Sequence, residues 1–111
     1  MAIRPTKPWQ ELTTAAVREL PGQLGVFELA DAEGRVVFIG FAGGRSLFGL
    51  RSEIERARLR LGGGGTHFRY EITMQYQSRY DELLMLHRAD HGALPAGNHD
   101  EHRRIGRLHP L

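Results

Sequence analysis

The stretch Gly25-Val26-Phe27-Glu28-Leu29-Ala30-Asp31-Ala32-Glu33-Gly34-Arg35-Val36-Val37-Phe38-Ile39-Gly40 decides how this chain is read. It holds two triplets, Gly25-Val26-Phe27 and Phe38-Ile39-Gly40, with ten residues between them. Strand formers dominate on both sides of a polar turn, Asp31-Ala32-Glu33-Gly34. The spacing predicts an antiparallel hairpin of strands 24–30 and 35–40, with Gly25 and Gly40 near each other across it. The unbroken run Val36-Val37-Phe38-Ile39 reads as a buried central strand.

Working outward, residues 8–20 read as a first helix. Pro8 suits a first helical turn, Trp9, Leu12, Ala16 and Leu20 recur at helical spacing, and Pro21-Gly22 ends the run. After the hairpin, Gly43-Gly44 breaks the chain and Ser46 is placed to cap a helix over 46–61, with Leu47, Leu50, Ile54, Ala57 and Leu61 on one face. The glycines 62–65 end that helix. They do not form a phosphate-binding loop, since no strand precedes them and no Gly-Lys-Ser/Thr follows. Phe68, Tyr70, Ile72, Met74 and Tyr76 alternate with polar residues and predict a third strand. Residues 79–91 read as a last helix stopped by Gly92, and the Pro-, Gly- and His-rich residues beyond it as irregular. The expected fold is a small α/β sandwich: a three-stranded, mainly antiparallel sheet flanked by helices.

With 111 residues, the chain is expected to be a single domain with its core at about 20–98, its N-terminal helix at 8–20 and an irregular tail at 99–111. The absence of cysteine excludes disulfides, thiolate metal sites and a cysteine nucleophile. No apolar run approaches the ~20 residues of a membrane span. Met1 to Pro8 lacks the apolar stretch of a signal peptide, so no membrane association and a cytoplasmic location are expected. Net charge is only +2, yet Lys7 is the only lysine beside fourteen arginines. That bias has two sources to weigh, base composition of the coding sequence and recognition of phosphate by guanidinium forks.

The two triplets, their ten-residue spacing, the helix and strand that follow, and Pro95-x-x-Asn98 together resemble the GIY-YIG nuclease superfamily, with Gly-Val-Phe and Phe-Ile-Gly in place of its two signature triplets. The resemblance spans about Leu20 to Asn98. It implies the fold above and a connection to nucleic acid. In that family two strand tyrosines, a helix arginine, a metal-binding glutamate and an asparagine cleave phosphodiesters with a divalent metal. Gly25, Gly40 and Asn98 match the motif positions, whereas Phe27 and Phe38 stand where the tyrosines belong and carry no hydroxyl to bind or activate water. The run Glu82-Leu83-Leu84-Met85-Leu86-His87 resembles the approach to the metal-binding glutamate, with His87 in its place.

The candidate arginine is Arg51, at the edge of the apolar face of its helix; Arg58, two turns on, extends a stripe, and Arg45 precedes the helix. Arg56 and Arg60 are expected to point into solvent. His87 shares a face with Tyr80, Leu83 and Leu84 and is expected to face the hairpin, with Glu82 on the other side. His99, His102 and His109 with Asp100 and Glu101 make a metal-like count without ligand spacing.

Three readings follow. The favoured one is a domain that binds nucleic acid, DNA first, weakly through Arg45, Arg51 and Arg58, and lacks standard nuclease activity. The second is an active endonuclease with a rebuilt site, Arg51 as clamp and His87 or His67 as base or metal ligand, using magnesium or manganese. The third is a non-catalytic protein-interaction or homodimerisation module presenting Phe48 and Leu59.

Overall fold

The computed structural model describes residues 3–98. The element order is β1 (Gln10–Glu11), α1 (Thr14–Arg18), β2 (Gly25–Ala30), β3 (Val36–Ala42), α2 (Leu50–Arg60), β4 (His67–Ile72) and α3 (Tyr76–His91), closed by a short 3-10 turn, Ala96–Asn98. The sheet is four-stranded and antiparallel, in the order β1-β4-β2-β3. The class is α/β as expected, with one strand more than the expected three. The irregular tail at 99–111 and its histidines lie outside the described residues.

The extra strand takes Gln10 and Glu11 out of the expected first helix, which shrinks to Thr14–Arg18. Gln10 and Glu11 pair with Phe68 and His67 on the outer edge of β4, whose backbone groups need partners that a helix could not supply. A short helix then starts after Thr13, whose hydroxyl accepts from Ala16 N at 3.1 Å. Trp9 leaves the helical row and lies under Arg69, 4.1 Å from ring centroid to guanidinium carbon. Leu12, Val17 and Leu20 still reach the core.

The hairpin forms as expected. Gly25 faces Ala42 and Gly40 faces Phe27, so the two glycines lie two positions apart along the paired strands. β3 runs on through Phe41 and Ala42, and an irregularity between Leu29 and Ala30 absorbs a residue. The Asp31 carboxylate holds the turn by accepting from the backbone N–H of Arg35 at 2.9 Å and of Glu33 at 3.0 Å. These bonds, the Arg35 one first, keep its carboxyl below the usual aspartate range.

β3 is an edge strand rather than a central one; β2 and β4 occupy the middle. Phe38 and Ile39 of its apolar run are nevertheless buried, and Val36 and Val37 partly so, because both sheet faces are covered. Phe27, Leu29, Phe38 and Phe68 pack with Leu50, Ile54 and Ala57 of α2 and with Leu12, Val17 and Leu20. Val26 and Ile39 pack on the opposite face with Leu83, Tyr76, Tyr80 and Leu84 of α3. This is the three-layer, helix–sheet–helix arrangement that β2, buried on both of its faces, demands.

Two helix starts depart from expectation. Helix α2 begins at Leu50, not Ser46, because Gly49 is left-handed at φ 58° and a Cβ there would lie 2.5 Å from the carbonyl oxygen of Gln23. Leu47, expected in the core, is therefore in a loop and 81% exposed. β4 stops at Ile72 and α3 starts at Tyr76, which leaves Met74 exposed and puts Tyr76 on a helix. No helix among the described residues is long and apolar enough to cross a membrane.

Candidate functional site

A cleft of about 820 Å³ opens along the outer side of β3, between α2 and α3. The sheet supplies Phe27, Phe38, Gly40 and Phe41, and the loop after β3 supplies Gly43, Gly44, Arg45 and Ser46. Helix α2 contributes Glu53, Arg56, Ala57 and Arg60, and α3 contributes Tyr76, Gln77 and Tyr80. The α2 residues stand at i, i+3, i+4 and i+7, which puts them in one row along the helix.

The floor is aromatic. The Phe27 and Phe38 rings are tilted against each other with centroids 5.9 Å apart. Phe27 Cζ lies where a Cβ on residue 40 would be, at 2.4 Å, so Gly40 is the residue that lets this ring lie flat on β3. On the α3 side Phe41 stacks on Tyr76 at 5.7 Å and meets Tyr80 at 4.9 Å. The Tyr76 hydroxyl accepts from the backbone N–H of Gly44 at 3.3 Å, which ties the loop to α3.

The walls are charged. Arg60 lies over the Phe38 ring, 5.4 Å from its centroid, and donates to the Gly97 carbonyl at 3.3 Å. Arg56 is 76% exposed at its side chain and lies 3.9 Å from Glu53. Arg45 is exposed and makes no ion pair among the described residues. Glu53 accepts from the Ser46 hydroxyl at 2.7 Å, and Ser46 in turn accepts from Gly43 N at 3.1 Å.

Of the residues singled out from sequence, Phe27, Phe38, Gly40 and Arg45 line this cleft. Asn98 does not line it but closes the edge beside it. Its Oδ1 accepts from Ile39 N at 2.9 Å and its Nδ2 donates to Ile39 O at 2.8 Å, so one amide pairs with the free edge of β3 as a strand would. It is buried, 2% exposed, and ties the C-terminal segment between the two motif residues Phe38 and Gly40. Gly25 sits at the other end of β2, between Ala42 and Ile72.

Arg51 and Arg58 lie on the opposite flank of α2. Arg51 donates to the Leu20 carbonyl at 3.2 Å, and Arg58 reaches Glu55 at 3.2 Å and the Thr14 hydroxyl at 3.4 Å. Both therefore face α1. His87 lies past the part of α3 that packs on the sheet; its Nδ1 is 2.9 Å from the Ala93 carbonyl and its ring lies 4.4 Å from that of His91. Neither Arg51 nor His87 lines the cleft. His67 Nδ1 is 2.9 Å from the Thr66 hydroxyl at the far end of β4. Glu82 pairs with Arg79, also away from the cleft. No group of three or more His, Asp or Glu among the described residues is arranged to hold a metal ion.

Sequence reasoning missed Glu53, Arg56 and Arg60. Their signal was present: they flank Ala57, a core residue of the same helix, at one-turn spacing. Arg51 and Arg58 flank the apolar face equally well on the other side, and only the position of α1 separates the two.

A family model described as "Domain of unknown function (DUF7508)" matches residues 1–90. No curated protein matches the chain.

Proposed function

The chain belongs to the DUF7508 family, whose description carries no activity, and from the cleft itself we propose that it is a divergent GIY-YIG-type domain that binds nucleic acid without the standard hydrolytic chemistry. The observation that carries this reading is the joining of Arg45, Arg56 and Arg60 with Phe41, Tyr76 and Tyr80 around one cleft. Guanidinium groups contact phosphates, and aromatic faces stack on bases; a groove with both is the usual form of a nucleic-acid channel. The motif residues Phe27, Phe38 and Gly40 lie at the same cleft, which supports the family likeness. With phenyl rings at 27 and 38, neither position offers a hydroxyl to a water or a phosphate. Binding through the cleft therefore does not bring with it the family's way of activating water.

The test is fluorescence anisotropy with a labelled oligonucleotide, titrated with KCl. Three phosphate contacts give a slope of log affinity on log salt of roughly −2 for a single strand. The double variant Arg45→Ala/Arg56→Ala should lose about 10-fold in affinity and reduce the slope by about 1.4. Arg51→Ala/Arg58→Ala should change both far less. No binding at low salt, or a larger loss from the second pair, overturns the reading.

A protein-interaction module is the second reading, favoured by one observation. Leu47 is 81%, Phe48 55% and Met74 78% exposed, in loops that follow the ends of β3 and β4, both of which pair with Gly25 of β2. Sedimentation of the purified protein at rising concentration tests it. A concentration-dependent dimer abolished by Leu47→Ser/Phe48→Ser would support this reading over the first.

A further inference from the structure

Among the described residues, Glu53 is the one carboxylate lining a cleft whose other charged lining residues are arginines. Its side chain is 20% exposed. Oε2 is engaged by the Ser46 hydroxyl at 2.7 Å, while Oε1 lies 3.9 Å from Arg56 Nη1, beyond hydrogen-bond reach. An ionised carboxylate has about four acceptor positions, so with Ser46 on Oε2 this one keeps acceptor capacity, on Oε1 above all, for a donor that enters. A phosphate would be repelled there. The part of a nucleic-acid ligand that meets Glu53 must instead present hydrogen-bond donors.

Bases differ sharply in that respect. The pairing edge of guanine carries two adjacent donors, N1–H and the N2 amino group, which match the two oxygens of one carboxylate. Cytosine and adenine offer one amino group beside a ring acceptor. Thymine offers an N–H between two carbonyl oxygens, both of which would face the negative charge. The donors of guanine are free only when the base is unpaired. The exposed ring of Phe41, 38% accessible and backed by Tyr76, gives such a base a face to stack on.

Resting on the nucleic-acid reading above, we propose that the cleft takes a single strand and that Glu53 selects an unpaired guanine by accepting from its N1–H and N2 amino group. The arginines then meet the flanking phosphates, and Ser46 holds the carboxylate in place. Ser46 is a positioning residue, since its hydroxyl acts on the base only through Glu53.

The probes are a ten-nucleotide thymidine strand, the same strand with one central guanosine, and the same strand with inosine, which lacks the N2 amino group. Anisotropy at fixed low salt should show the guanosine strand bound about 10-fold tighter than the all-thymidine strand, since a good bidentate contact discriminates by that order. Inosine should lose most of the gain, and pairing the guanosine in a duplex should lose all of it. In Glu53→Gln the preference should fall below about 2-fold while the all-thymidine strand binds at least as well, because a repelling charge has gone. A purely structural Glu53 would instead weaken all three strands together. Equal binding of the three by the unmodified protein overturns this proposal and leaves the nucleic-acid reading standing. No binding of any strand overturns both.

Discussion

The α3 face of the sheet and the cleft at its β3 edge use arginine in opposite ways. On the α3 face Arg69 and Arg79 are half-buried and fully engaged. Arg69 pairs with Glu28, its direct cross-strand neighbour, at 2.7 Å, and donates to the Lys7 carbonyl at 3.2 Å. Arg79 grips Glu71 through two bonds of 2.9 Å, pairs with Glu82 and donates to the Ile3 carbonyl at 2.5 Å. These bonds strap the N-terminal segment onto the sheet. On the cleft side Arg45 and Arg56 face an opening whose sole carboxylate among the described residues is Glu53. The lesson concerns placement: close carboxylates turn Arg69 and Arg79 into structure, whereas Arg56 has only a distant one and Arg45 has none among the described residues, which leaves charge for a ligand.

The comparison predicts that substitutions on the two sides fail differently. The largest effect is expected from Arg69→Ala. It leaves Glu28, whose side chain is 7% exposed, buried without its partner, and breaking such a pair costs about 3 kcal/mol or more. Urea denaturation should show the midpoint falling with the slope unchanged, while Arg56→Ala stays within about 0.5 kcal/mol of the parent. Equal losses for the two variants would break the comparison outright.

Asn98→Ala is next. It removes both bonds to Ile39 and strands a backbone donor and acceptor in a buried setting, a loss of about 2 kcal/mol readable as a lower melting temperature. If the melting temperature does not move, the amide is not what closes the edge of β3.

The smallest effect is a pH dependence. The two bonds from Arg79 hold the Glu71 carboxyl below its ordinary value of 4.5. A carboxyl depressed in the folded state binds fewer protons there than when unfolded. Its stabilisation is present above about pH 4.5 and is lost as pH falls through the lower folded value. Partial exposure screens the pair, so the loss is modest. Glu71→Gln should flatten the acid limb of a stability–pH curve between about pH 5 and 3 and leave the neutral region nearly parallel. An acid limb unchanged by the substitution would mean that the strap is not held by this pair.

Much of the fold was legible in the residues themselves. The polar turn between two β-rich runs, the helical spacing of Leu50, Ile54 and Ala57, and the alternation through Phe68 and Tyr70 are local patterns, and local sterics and burial periodicity dictate them. Asn98 stood out in Pro95-x-x-Asn98 as a residue to tie the tail by hydrogen bonds, though not that its amide would pair with Ile39. Tertiary structure decided the rest. Gln10 and Glu11 became a strand because β4 had an open edge, and Leu47 left the core because Gly49, at positive φ, packs its backbone against Gln23 and starts the helix one turn later. The same holds for the site. The apolar face of α2 has two arginine-bearing flanks, and helical periodicity treats them alike. α1 packs on the flank with Arg51 and Arg58, so the cleft opens on the flank with Arg56 and Arg60. A sequence determines which residues share a helix face; which neighbour covers the next face depends on contacts between residues far apart in the chain.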